Sequence, residues 1–266
     1  MPATPAADAP PGYLATPPQP DSGAPPGGFP GVVVVHDVFG MTPDLKRQAD
    51  RLAVGGYLAL APDLWQGNAW IRCVRTAFRQ LMAGTGPLFE QIDGAAAWLS
   101  GQPSCSGRIG VVGFCMGGGF ALMCAPRAGY SAVSVNYAPV PKDIDAMLAG
   151  ACPMVVSYGS KDTGTRKQLP LLEKALEHHG IASDVKVYPG ATHAFMNEFE
   201  GGPRVLSRVL GIRYDADATA DSWRRIFAFF GEHLASPSDP GATPPDTESP
   251  PDTESPSGPE DTSAEG

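Results

Sequence analysis

"RIGVVGFCMGGGFALMCA", residues 108–125, is the stretch whose reading decides the fold. A continuous apolar run, Arg108–Phe114, meets a Gly-rich turn and then a helical pattern, with Cys115 at the tip. A short unalternated run of this kind suits a strand buried on both faces of a parallel sheet. Gly113-Phe114-Cys115-Met116-Gly117 fits the G-x-S-x-G turn with cysteine in the serine position. The chain must turn sharply from strand into helix there. The tip residue takes a strained backbone, and side chains two positions to either side would collide across the turn. The helix start offers free N–H groups and partial positive charge, which suits a thiolate. The segment has neither the G-x-G-x-x-G spacing of a dinucleotide site nor the Lys-Ser/Thr of a P-loop. Cys115 is therefore the candidate nucleophile, and the alternative is a small residue filling a turn.

Outward from this turn, strands and helices alternate. Strands are expected at Val32–Val35, Tyr57–Ala61, Ala132–Asn136, Met154–Tyr158 and Asp184–Tyr188, with "GYLATP" (12–17) as an extra edge strand. Helices are expected at about 44–54, 71–83, 88–100, 116–125, 142–149, 167–179 and 218–234. The alternation predicts an α/β fold, a doubly wound and mostly parallel sheet with helices on both faces, over residues 11–235. Trp223, Ile226, Phe227 and Phe230 recur at helical spacing and are expected in the core. On the helix at 71–83, Arg72, Arg75 and Arg79 share one face, opposite Val74, Phe78, Leu81 and Met82. Those arginines form either a solvated face or a reach toward a substrate carboxylate.

The net charge of −9 belongs to the ends. Residues 1–30 hold ten prolines, two acids and no base, and residues 236–266 hold eight prolines and eight acids with the repeat "PPDTESPPDTESP". Such composition buries too little apolar surface to order itself, so 1–10 and 236–266 are expected to be disordered. The middle keeps 18 acids against all 19 bases, which gives no basic surface for nucleic acid. The five cysteines, at 73, 105, 115, 124 and 152, are odd in number and form no CxxC pair, so neither a disulfide framework nor a zinc site is expected. Cys73 and Cys124 read as helix packing, and Cys105 and Cys152 as loop residues. No apolar run reaches the roughly 18 residues of a membrane span. A cytoplasmic monomer without membrane, metal or organic cofactor is expected.

A cysteine nucleophile needs a base and a group to orient it. In this fold the partners follow in the order nucleophile, acid, histidine. Asp162 lies just past a strand end in "MVVSYGSKDTGT", and His193 lies in the loop after the next strand in "VKVYPGATHAF". Of the other histidines, His178 and His179 are paired at an exposed helix end, His233 closes the last helix, and His36 sits at the tip of the first central strand. The expected constellation is Cys115, Asp162 and His193.

"VVVVHDVFGM" (32–41), "GYLALAPDLW" (56–65), "RIGVVGFCMGGG" (108–119), "YGSKD" (158–162) and "YPGATHAF" (188–195) together resemble the dienelactone hydrolase family of α/β hydrolases. The resemblance implies a Cys-His-Asp triad on Cys115, His193 and Asp162, and an oxyanion hole from the backbone N–H groups of Val38 and Met116. It implies thiol-dependent cleavage of an ester or lactone through a Cys-acyl intermediate, with a small-molecule substrate and no cofactor. Two positions depart from the family pattern. Asp37 stands where a glutamate often holds the resting thiol; it is read as that partner, one methylene shorter, or as a cap on the following helix. Asn197 stands where an arginine grips a substrate carboxylate, four residues past the histidine. Other acyl-transfer or peptidase chemistry, or a non-enzymatic role for the acidic tail, are the alternatives.

Overall fold

The computed structural model describes residues 9–18, 24–66, 70–198 and 213–235, the side chains of 70–72 apart. The two terminal segments expected to be disordered lie outside the described residues, except positions 9 and 10. Seven strands form one sheet: β1 (Gly12–Ala15), β2 (Phe29–Val35), β3 (Leu58–Pro62), β4 (Cys105–Phe114), β5 (Ala132–Asn136), β6 (Met154–Gly159) and β7 (Ser183–Tyr188). Their order is β1-β3-β2-β4-β5-β6-β7. β1 runs antiparallel to β3, as expected of an edge strand, and the other pairings are parallel.

The central strands are apolar because both of their faces are covered. Val32, Val33, Val34 and Val35 are fully buried, as are Val111 and Val112 beside them. Each such valine gives about 1.5–3 kcal/mol relative to an exposed one. The helices are α1 (Pro43–Val54), α2 (Trp70–Ala83), α3 (Pro87–Ser100), α4 (Met116–Cys124), α5 (Ile144–Met147), α6 (Leu169–His178) and α7 (Ala216–Leu234). α1 packs on β1, β2 and β3, α3 on β2, β3 and β4, and α7 on β4, β5 and β6. Trp223, Ile226 and Phe230 of α7 are buried, as their spacing predicts. None of the described helices is long and apolar enough to cross a membrane.

Several local expectations are corrected. Cys105 opens β4 instead of lying in a loop. The helix expected at 142–149 shrinks to the four residues of α5. The one expected at 167–179 starts as a 3-10 turn, Arg166–Gln168, because Pro170 falls in the first turn of α6, where its missing N–H costs nothing. Met82 is exposed, and Ala77 takes the inward place on α2 instead.

Candidate active site

The parallel strands deliver their loops to one end of the sheet, and the β4–α4 turn is the most constrained of them. Cys115 has φ 53° and ψ −117°, in the left-handed half of the map where a side chain is strained. Its N–H donates to the Asn136 carbonyl at 3.1 Å, and its carbonyl accepts from Gly119 at 3.2 Å. The glycines are there for want of space. A Cβ on Gly113 would lie 2.0 Å from the Gly117 oxygen, and one on Gly117 would lie 2.2 Å from the Val35 oxygen. Close approach at Gly117 brings the start of α4 against the end of β2, and with it Met116 toward the loop that carries Val38.

His193 Nε2 lies 3.1 Å from Cys115 Sγ, and His193 Nδ1 lies 2.7 Å from Asp162 Oδ2. The three residues singled out from the sequence are thus joined in one relay. Asp162 is buried and held by its own loop: Oδ1 accepts the N–H groups of Gly164 and Thr165, and Oδ2 accepts the Thr165 hydroxyl. Burial opposes the charge on Asp162, but the bond to His193 and the Thr165 donors outweigh it and hold the carboxyl below its ordinary range. Burial also disfavours the His193 imidazolium. The hydrogen bonds to Asp162 and Cys115 prevail, pushing its pKa up to about 10.

Tyr137, at φ 42° past the end of β5, sets its ring edge-on to His193, with 5.3 Å between centroids. Its hydroxyl donates to Asn197 Oδ1 at 2.6 Å, and Asn197 Nδ2 donates to the buried Asp44 carboxylate at 2.9 Å. Both ends of the Asn197 amide are thus engaged inside the protein. The residue braces the histidine loop against α1 and is not presented to a ligand. Arg75 and Arg79 are exposed on α2 and have no ion pair with the triad residues, while the Arg72 side chain lies outside the described residues.

Asp37 does not cap the following helix, and no hydrogen bond joins it to the thiol among the described residues. Among the described residues the Cys115 thiol bonds His193, and the buried Asp37 carboxylate accepts the Phe39 N–H at 2.7 Å. Asp37 thereby closes a turn two residues on, with its carboxylate still near enough to feel the His193 charge. The cap of α1 is Thr42, whose Oγ1 accepts from Leu45. Burial raises Asp37 to about 7, against the Phe39 N–H and the His193 charge, with Asp44 adding to the rise. The neighbouring His36 is fully buried. Its Nε2 accepts the Leu64 N–H at 3.3 Å, so Nδ1 carries the proton and donates to the Asp37 carbonyl at 2.7 Å. This bond fixes the peptide plane whose N–H belongs to Val38. Thr165, Tyr137 and His36 were not singled out in the sequence as parts of the site. Only the Asp-Thr-Gly-Thr pattern carried a signal, that of a side-chain-stabilised turn.

A family model described as "Dienelactone hydrolase family" matches residues 11–234. The chain belongs to the dienelactone hydrolase family. Membership makes it an enzyme, a hydrolase of ester or lactone bonds. A protein of Saccharolobus solfataricus provisionally named a carboxymethylenebutenolidase is 26% identical over 254 residues, 82% of this chain and 91% of that one. A similarly named protein of Yersinia pestis is 27% identical over 242 residues, covering 85% of each chain. Among solved structures, a provisionally named dienelactone hydrolase from Klebsiella pneumoniae superposes with a TM-score of 0.64 at 24% identity. That match covers 80% of this chain and 90% of that one, and it establishes the α/β-hydrolase fold of this family member.

Proposed function

We propose that this dienelactone hydrolase family member cleaves a small ester or lactone by acyl transfer to Cys115. The observation that carries the reading is the relay of 3.1 Å and 2.7 Å from Cys115 through His193 to Asp162, mounted on a strained strand-to-helix turn. The Cys115 thiolate attacks the carbonyl carbon, and the electron pair moves to the carbonyl oxygen. The Val38 and Met116 N–H groups donate to that oxyanion. The tetrahedral adduct collapses to a thioester, and the His193 imidazolium gives its proton to the departing alkoxide. The neutral imidazole then takes a proton from water as the water oxygen attacks the thioester. The second adduct releases the carboxylic acid and returns the thiolate facing an imidazolium. Asp162 fixes the tautomer and orientation of His193 and balances its charge through both halves.

The acyl group is small and uncharged in this reading. Asn197, at the place where an arginine would grip a carboxylate, is spent on Tyr137 and Asp44. The molecule works as a cytoplasmic monomer with no nucleic-acid partner and no cofactor. The test is hydrolysis of p-nitrophenyl acetate by three full-length proteins. Cys115→Ala abolishes turnover, whereas Cys124→Ala, which alters the buried thiol that ends α4, retains it. Equal turnover in the two variants removes Cys115 from the mechanism.

A further inference from the structure

His178 closes α6 and His179 follows it as the C-cap, while Asp145 lies in the first turn of α5, which packs beside α6. His178 Nδ1 lies 2.8 Å from Asp145 Oδ1, and His179 Nε2 lies 3.6 Å from the same oxygen. The His179 Nε2 atom is also 2.7 Å from the Asp145 backbone carbonyl. The three side-chain donor atoms fall within 4.8 Å of one another, and the two rings sit 4.6 Å apart. Two imidazole nitrogens from one helix end and a carboxylate oxygen from a neighbouring element therefore converge on one point at the surface. Nothing in the hydrolytic reading uses them.

We propose that Asp145, His178 and His179 form a surface site for a divalent transition-metal ion, with zinc as the ion that fits. Zinc–nitrogen and zinc–oxygen bonds of about 2.0–2.2 Å in a tetrahedron require donor atoms about 3.3 Å apart. The two nitrogen–oxygen separations of 2.8 Å and 3.6 Å straddle that edge, and all three donor atoms lie within 4.8 Å of one another, so side-chain rotation alone can bring them to it. Two nitrogens and one carboxylate oxygen select zinc, nickel or copper over magnesium and calcium, which take oxygen ligands. Exposure of His178 leaves the fourth position to water. The site sits at the α6 C-terminus, whose partial negative charge favours a cation. In the metal-free chain each ring donates an N–H to an oxygen of Asp145. On binding, each ring withdraws the N–H it gives to Asp145 and presents that nitrogen's lone pair to the ion. The ion then ties α5 to α6, and it stabilises the folded chain by mass action.

The test is calorimetric titration of zinc chloride into the full-length chain carrying Cys115→Ser, so that the thiol facing His193 does not take the metal. One saturable site is expected, together with a rise in melting temperature on adding zinc. His178→Gln and His179→Gln should each weaken binding by at least the ~10–100-fold that loss of a mere outer-shell partner costs. Cobalt chloride supplies an independent readout in the same unsubstituted site: its visible spectrum should show nitrogen and oxygen ligation without a thiolate charge-transfer band. No saturable binding, undiminished binding in both histidine variants, or a thiolate band in the cobalt spectrum would each overturn the assignment.

Discussion

Gly117 meets the carbonyl of Val35 so closely that a Cβ on it would lie 2.2 Å from that oxygen and 2.5 Å from the oxygen of His36. Both obstacles are backbone atoms of the central strand end, which cannot swing aside as a side chain would. The contact is what lets the first turn of α4 approach the loop of Val38. Gly117→Ala should therefore push these two elements apart and cost roughly 1–3 kcal/mol of stability through overpacking. Ester turnover should fall by more than that stability loss accounts for. Urea unfolding and steady-state kinetics on the same preparation check the two effects.

Thr165 secures Asp162 with both its N–H and its hydroxyl. Thr165→Val keeps the shape and the N–H but removes the hydroxyl. A hydrogen bond to a charged group is worth about 1.5–3 kcal/mol, so kcat should drop by roughly 10–100-fold. KM for p-nitrophenyl acetate should stay near its original value, because Thr165 touches only the acid that orients His193.

His36 bridges the loop of Val38 to the loop of Leu64. His36→Phe fills the space but leaves the Leu64 N–H unpaired inside the protein, at a cost of about 1–3 kcal/mol. Catalysis should suffer through kcat as the Asp37–Val38 peptide loosens. His36→Gln, which has one donor and one acceptor, should recover part of both losses.

The buried carboxyl of Asp37, raised to about 7, makes a prediction with a definite sign. Between pH ~4 and ~7 the unfolded chain has released this proton while the folded chain still holds it. Asp37 therefore lowers stability progressively as pH rises through that window, and the penalty is constant above it. Asp37→Asn keeps an oxygen for the Phe39 N–H and removes the ionisation. The variant should match the parent near pH 4 and exceed it by roughly 2–4 kcal/mol at pH 8, read from urea unfolding at each pH.

The order of Cys115, Asp162 and His193 was legible in the sequence because each lies just past an apolar strand, and parallel strands bring those ends together. The glycines at 113 and 117 were legible for the same reason, as a turn with no room. Asp37 was not, since its turn back onto the Phe39 N–H depends on the shape of the loop, which no local pattern sets. Asn197 was legible only as a departure from the family's arginine, and its bracing role was not. Its partners Tyr137 and Asp44 lie 60 and 153 residues away in sequence, and no local pattern announces them. His178 and His179 were visible as a pair, but Asp145 comes beside them only through the packing of α5 on α6.

The most direct test of the central claim is peptide mass spectrometry of protein quenched in acid within milliseconds of mixing with a slowly hydrolysed activated ester. One acyl group should appear, on the peptide containing Cys115, and it should vanish in Cys115→Ala. An acyl group on another residue during undiminished turnover, or turnover by Cys115→Ala at the parent rate, would contradict the account.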